Sequence, residues 1–172
     1  AEWLGAELVS EQTRPVELRR GVLDADGEYH YRQYNDGAEG VEHWTGHAAG
    51  PADLGERMGR LAAWLAESEG QTLVFMRDKG ATIRMAEAIA TWSRMPAAGD
   101  VIEELEALEE TRVTRALKKL AESGVAFHSA DLRFDERQVV EAGFARGELR
   151  VLVSTSTLAM GVNLPARNVI ID

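Results

Sequence analysis

Cysteine is absent from the 172-residue sequence, which excludes a disulfide framework and any thiolate metal site. No apolar run approaches the ~18 residues that cross a bilayer. No basic-then-apolar signal segment opens the chain, which begins Ala1-Glu2-Trp3-Leu4 as though cut from something longer. Internal repeats and low-complexity tracts are also missing, and a cytoplasmic protein is the default expectation. A basic excess is lacking too: 19 Lys and Arg face 29 Asp and Glu, a net charge of −10. That balance argues against a freestanding nucleic-acid binder. What remains, at 45% hydrophobic and 28% charged residues, is the profile of one soluble globular domain with a proper core.

The negative charge is uneven. Residues 1–50 carry ten acids against four bases, whereas residues 132–172 carry five of each. A nucleic-acid surface is therefore expected in the neutral C-terminal part, built from placed contacts more than from a broad field. The acidic run Asp100 to Glu110 reads as a solvated helix face. Trp3, Trp44, Trp64 and Trp92 are too scattered for a base-stacking platform and read as core packing.

Patterning divides the chain. Pro15 to Leu23 reads as a strand, Asp26-Gly27 as a hairpin turn, and Tyr29 to Tyr34 as a return strand. Residues 35–52, rich in Gly, Asp and Ala, read as a loop. Leu54, Met58, Leu61 and Leu65 share a helix face that Gly70 ends. Four short apolar runs follow: Thr72 to Met76, Val125 to Phe127, Val151 to Val153, and Val169 to Ile171. Runs apolar on both faces suit parallel strands covered on each side. Helical patterns lie between them: Ile83, Ala86 and Ile89, closed by Pro96; then Leu105 to Leu120, opened by an Asp100–Glu103 capping box and stopped by Gly124; then Val140 and Phe144, ended by Gly147. The expected fold class is α/β, a parallel sheet flanked by helices with right-handed crossovers and an N-terminal β-hairpin extension.

Ligands in such sheets bind past the carboxyl ends of the strands. Those ends carry Arg77-Asp78-Lys79-Gly80, His128-Ser129-Ala130-Asp131, Ser154-Thr155-Ser156-Thr157 and Asp172. Short hydroxyls, imidazole and cations suit phosphate oxygens. Taken singly, His128 reads as a hydrogen-bonded strand-end histidine, Gly161 as a turn glycine and Asn163 as a turn or cap residue. Arg77 and Lys79 stand open between solvated surface and phosphate contact, and Arg133 and Arg137 read as surface or helix charges.

The stretch Ser154 to Arg167, with Thr157-Leu158-Ala159-Met160-Gly161-Val162-Asn163-Leu164-Pro165-Ala166 at its centre, resembles motif V of the superfamily 2 helicases in their superkiller-like branch, which includes the archaeal DNA-repair helicases. Val74-Phe75-Met76-Arg77 stands where motif IV is expected. Phe127 to Leu132 is similar to the family's His-His-Ala-Gly-Leu segment, with Ser129 in place of the second histidine and Asp131 in place of the glycine. Arg137, Val140, Glu141, Phe144 and Gly147 match the following helix, and residues 1–6 and 14–19 resemble the passage that leaves a first lobe.

The resemblance implies a second RecA-like lobe of P-loop NTPase type over residues 51–172, with 1–50 as lead-in, taken from an ATP-dependent helicase. Under it, Gly161, Val162 and Asn163 face the nucleotide. Arg77, His128, Ser129, Thr155, Ser156 and Thr157 face the nucleic acid, DNA favoured over RNA. ATP and Mg²⁺ are expected mainly on the first lobe, because this sequence holds no Gly-x-x-x-x-Gly-Lys loop and no Asp-Glu-x-His box. No catalytic residue and no metal site is expected here, and the isolated chain is expected to lack ATPase activity. The competing readings are a catalytically inactive RecA-like interaction module and, last, an unrelated flavodoxin-like or nucleotide-binding enzyme.

Overall fold

The computed structural model describes residues 17–44, 53–155 and 164–172. The chain divides into two compact units, Ala1–Pro51 and Ala52–Asp172.

The first unit is a three-stranded antiparallel sheet: β1 (Arg19–Leu23), β2 (Glu28–Gln33) and β3 (Glu39–His43), in that spatial order. The hairpin expected at Asp26-Gly27 forms, with Gly27 at φ 84°. Asp24 Oδ1 accepts from the Asp26 and Glu28 amides at 2.9 Å each, the local bonding that makes Asp a turn residue. The expected loop over 35–52 is corrected: it contains β3, paired with β2 from Glu28↔His43 to Arg32↔Glu39. One face stacks Tyr29 on Tyr31 and on Trp44, with ring centroids 5.4 and 4.5 Å apart. Gly21 and Gly40 leave room for those rings, since a Cβ on Gly40 would sit 2.6 Å from the Tyr31 ring.

The second unit is a four-stranded parallel sheet in the order β5-β6-β4-β7. Its strands are β4 (Thr72–Met76), β5 (Val125–His128), β6 (Val151–Thr155) and β7 (Asn168–Ile171). Its helices are α1 (Leu54–Ser68), α2 (Lys79–Trp92), α3 (Gly99–Glu106), α4 (Arg112–Ala121) and α5 (Phe134–Ala145). Helix α1 packs on α2, and α3 packs on α4 and α5. The core runs from Val74, Val151, Leu152 and Val153 on the strands to Ile89, Leu105, Leu117 and Phe144 on the helices. Strands β4, β5 and β6 are buried on both faces as their composition demands. β7 is not: among the described residues it has one partner, β4, and Val169 and Ile171 are 54% and 77% exposed.

Helix ends differ from the pattern in places. The expected Asp100–Glu103 capping box does not form; α3 starts at Gly99 behind Ala98 with no side-chain cap. The single helix expected from Asp100 to Leu120 is two, because Thr111 accepts from the Val113 and Thr114 amides and starts α4 afresh. Helix α2 ends at Trp92, before Pro96. Gly147 behaves as expected: at φ 83° it closes α5, with the Glu148 amide donating to the Gly143 carbonyl at 3.1 Å. Core packing is not the role of Trp92, which is 43% exposed beneath the Arg60 guanidinium, 4.4 Å from its ring centroid.

One buried acid joins α4 to α5. Glu136 is 1% exposed; its Oε1 accepts from Thr111 Oγ1 at 3.2 Å and its Oε2 from the Arg133 amide at 2.9 Å. Glu136→Ala strips both donors of their acceptor and is expected to cost about 2–3 kcal/mol, with Glu136→Gln losing distinctly less in the same urea titration. Equal losses would show that the carboxylate's charge, not its shape, holds the joint.

Candidate nucleic-acid and nucleotide interface

Register brings the four strand ends into line. His128 lies opposite Ser154, Ser154 opposite Phe75, and Phe75 opposite Ile171. One residue further on, Thr155 lies opposite Met76, and the Asp172 amide donates to the Phe75 carbonyl at 3.0 Å. The polar segments read from the sequence therefore share one edge of one sheet. Thr155 ends β6 in the sheet interior, between β5 and β4, at the middle of that edge.

Ionic pairs tie this edge together. Arg77, just past β4, donates from Nε to Asp172 Oδ2 at 2.9 Å and from Nη2 to Oδ1 at 3.3 Å. The Asp172 carboxylate, hydrogen-bonded to it, raises the Arg77 pKa above its ordinary value. The side chain is 77% exposed and uses one side of its guanidinium fork on Asp172. Lys79 at the start of α2 pairs with Asp131 after β5. Asp78 caps α2, its Oδ1 accepting from the Ala81 amide at 2.8 Å.

Behind the edge, His128 is 7% exposed and its Nε2 lies 2.8 Å from Glu141 Oε1 on α5. Ser129 is 2% exposed. The His128 Nδ1 and Ser129 Oγ are buried, with no hydrogen-bond partner among the described residues. Ala130 and Asp131, which follow, are exposed. Of the expected site residues, Arg77, His128, Ser129 and Thr155 are thus brought to one edge. Ser156, Thr157, Gly161, Val162 and Asn163 lie outside the described residues. Asp172, read from the sequence as a strand end, and Glu141, read as part of the following helix, become the partners of Arg77 and His128 only in the structure; nothing in the local sequence signals pairs 95 and 13 residues apart. No candidate metal cluster lies at this edge among the described residues.

The model of the helicase conserved C-terminal domain matches residues 56–172, and so takes in the whole parallel sheet. The chain belongs to that family. Its parallel sheet flanked by helices is the RecA-like fold of a superfamily 2 helicase C-terminal lobe. Among curated proteins it is similar to the ATP-dependent DNA helicase Hel308 of Pyrobaculum calidifontis, 41% identical over 99% of this chain and 23% of the relative. The Hel308 proteins of Caldivirga maquilingensis and Pyrococcus horikoshii are 36% and 33% identical, over 100% and 99% of this chain and 22% of each relative. The chain therefore spans less than a quarter of the length of these relatives. No helix among the described residues is long and apolar enough to cross a membrane.

Proposed function

We propose that this lobe works within an ATP-dependent DNA helicase of the Hel308 kind, as the second of two RecA-like lobes between which ATP and Mg²⁺ are held. The observation that carries the reading is the alignment of Arg77, His128, Ser129 and Thr155 along one strand-end edge, in a chain similar throughout to proteins named DNA helicases. Residues 51–172 form the lobe and 1–50 lead into it, a division supported by the two compact units. Gly161, Val162 and Asn163 face the nucleotide, where a glycine permits close approach and an amide bonds near the ribose or the phosphate-bound water. Arg77, Thr155, Ser156 and Thr157 face DNA phosphates. His128 and Ser129 shape the strand's path from behind, through the Ser129–Asp131 loop. Closure of the cleft on ATP then shifts one lobe relative to the other along the strand.

The test is single-strand DNA stimulation of ATP turnover in the full-length protein, with the isolated chain inactive. Substituting Arg77→Ala removes one cation from the phosphate contacts. The salt slope of single-strand binding is expected to fall by about 0.7. An unchanged slope assigns Arg77 to Asp172 alone. Turnover from the isolated chain, or none from the full-length protein, overturns the reading; the second result favours the inactive interaction module.

A further inference from the structure

The antiparallel sheet carries a group that the helicase reading does not use. It lies ahead of the family match, which begins at residue 56. Asp24, Glu28 and His30 each offer a ligand atom, all within 4.8 Å of one another, the one such group among the described residues. His30 Nε2 is 3.3 Å from Glu28 Oε2 and 3.6 Å from Asp24 Oδ2. With metal–ligand bonds of about 2.0–2.1 Å, neighbouring donors of a tetrahedral zinc shell stand about 3.3–3.4 Å apart, so His30 and Glu28 already hold that spacing and Asp24 Oδ2 lies a little beyond it.

The local fold presents these atoms. Asp24 Oδ1 is occupied by the Asp26 and Glu28 amides of the turn, which leaves Oδ2 turned to His30. His43 on β3, opposite Glu28 in register, places Nε2 3.4 Å from Glu28 Oε1, beside the second oxygen of that carboxylate. Such an outer partner orients a ligand and strengthens its hold.

We propose that Asp24, Glu28 and His30 form a binding site for a divalent transition metal, Zn²⁺ foremost, with His43 as the positioning residue for Glu28. One imidazole with two carboxylates selects a first-row transition ion over Ca²⁺ or Mg²⁺, which take oxygen shells. Three protein ligands leave the remaining coordination position to water.

The test is calorimetric titration of Zn²⁺ into the chain near neutral pH. The expected result is one saturable site. In Asp24→Asn the amide oxygen still accepts both turn amides, so the hairpin survives, but the nitrogen replacing Oδ2 cannot ligate. Asp24→Asn and His30→Ala should each weaken binding by about tenfold or more, and His43→Ala by about tenfold. Co²⁺ in place of Zn²⁺ should show the visible bands of a tetrahedral site, lost in His30→Ala. Far-ultraviolet circular dichroism checks that each variant keeps its sheet. Binding weaker than about 0.1 mM, equal binding in the Asp24 and His30 variants, or tighter binding of Ca²⁺ or Mg²⁺ overturns the proposal. None of these outcomes bears on ATP turnover.

Discussion

Phe144→Ala is expected to destabilise the helicase lobe by about 3–5 kcal/mol. Phe144 has no exposed surface and is the largest fully buried side chain among the described residues. Its helix is held close to its neighbours: a Cβ on Gly143 would lie 2.3 Å from Val101 Cγ2 and 3.3 Å from Leu149 Cδ1. The helix is thus docked closely against α3, and removing a fully buried ring from it leaves a cavity in the core. For a lobe of this size the melting temperature should drop by about 10 °C or more. The natural control is on the same helix. Phe134 is 73% exposed, and Phe134→Ala should change stability by no more than about 0.5 kcal/mol. Thermal melts of the two variants, followed by circular dichroism, separate the cases. Similar melts would mean that α5 is not docked as described. Because Glu141 on α5 holds His128, undocking would also free the imidazole behind the strand-end edge.

That α5 and its aromatic could be read from sequence at all follows from burial. The strands β4, β5 and β6 must be apolar throughout because both faces are covered, so three short runs announce a parallel sheet. Gly147 and Gly124, at φ 83° and 67°, are legible for the opposite reason: the left-handed backbone that closes a helix admits glycine at least cost. β3 was illegible because Glu39–His43 has a single large apolar residue, Val41, itself 53% exposed; its hydrogen bonds to β2, not its own pattern, make it a strand. The break between α3 and α4 hid because Leu105 and Leu108 continue the helical spacing into it, while the Thr111 cap stands directly after the acidic stretch. At the site, residue types were readable but pairings were not. Arg77 sits at a strand end by local pattern, yet its tie to Asp172 depends on β7 lying beside β4. His128 was legible as a bonded strand-end imidazole; its partner was not, because α5 folds back over β5 only in the assembled lobe.

The sharpest functional contrast should come from two positions six residues apart on the segment that follows Thr155. In the full-length protein, Asn163→Ala is expected to reduce DNA-stimulated ATP turnover by about 10²-fold. An amide held against a reacting nucleotide acts where water is excluded, and removing one such preorganised group costs about 2.7 kcal/mol or more of transition-state stabilisation. Single-strand DNA affinity should change by less than about twofold, because the role proposed for this residue is at the nucleotide and not at the polymer. Thr157→Ala should do the reverse. A neutral hydroxyl bonded to a phosphate is worth about 0.5–1.5 kcal/mol, so the dissociation constant should rise by up to about tenfold while turnover at saturating DNA stays near that of the parent. The salt slope should hold steady, since no cation has been removed; in that respect Thr157 differs from Arg77. The two variants together ask whether one short segment has a nucleotide flank and a polymer flank. Were both to lower turnover alike, or both to weaken DNA alike, the segment would be a single-sided contact. ATP and strand would then have to communicate through some other part of the lobe.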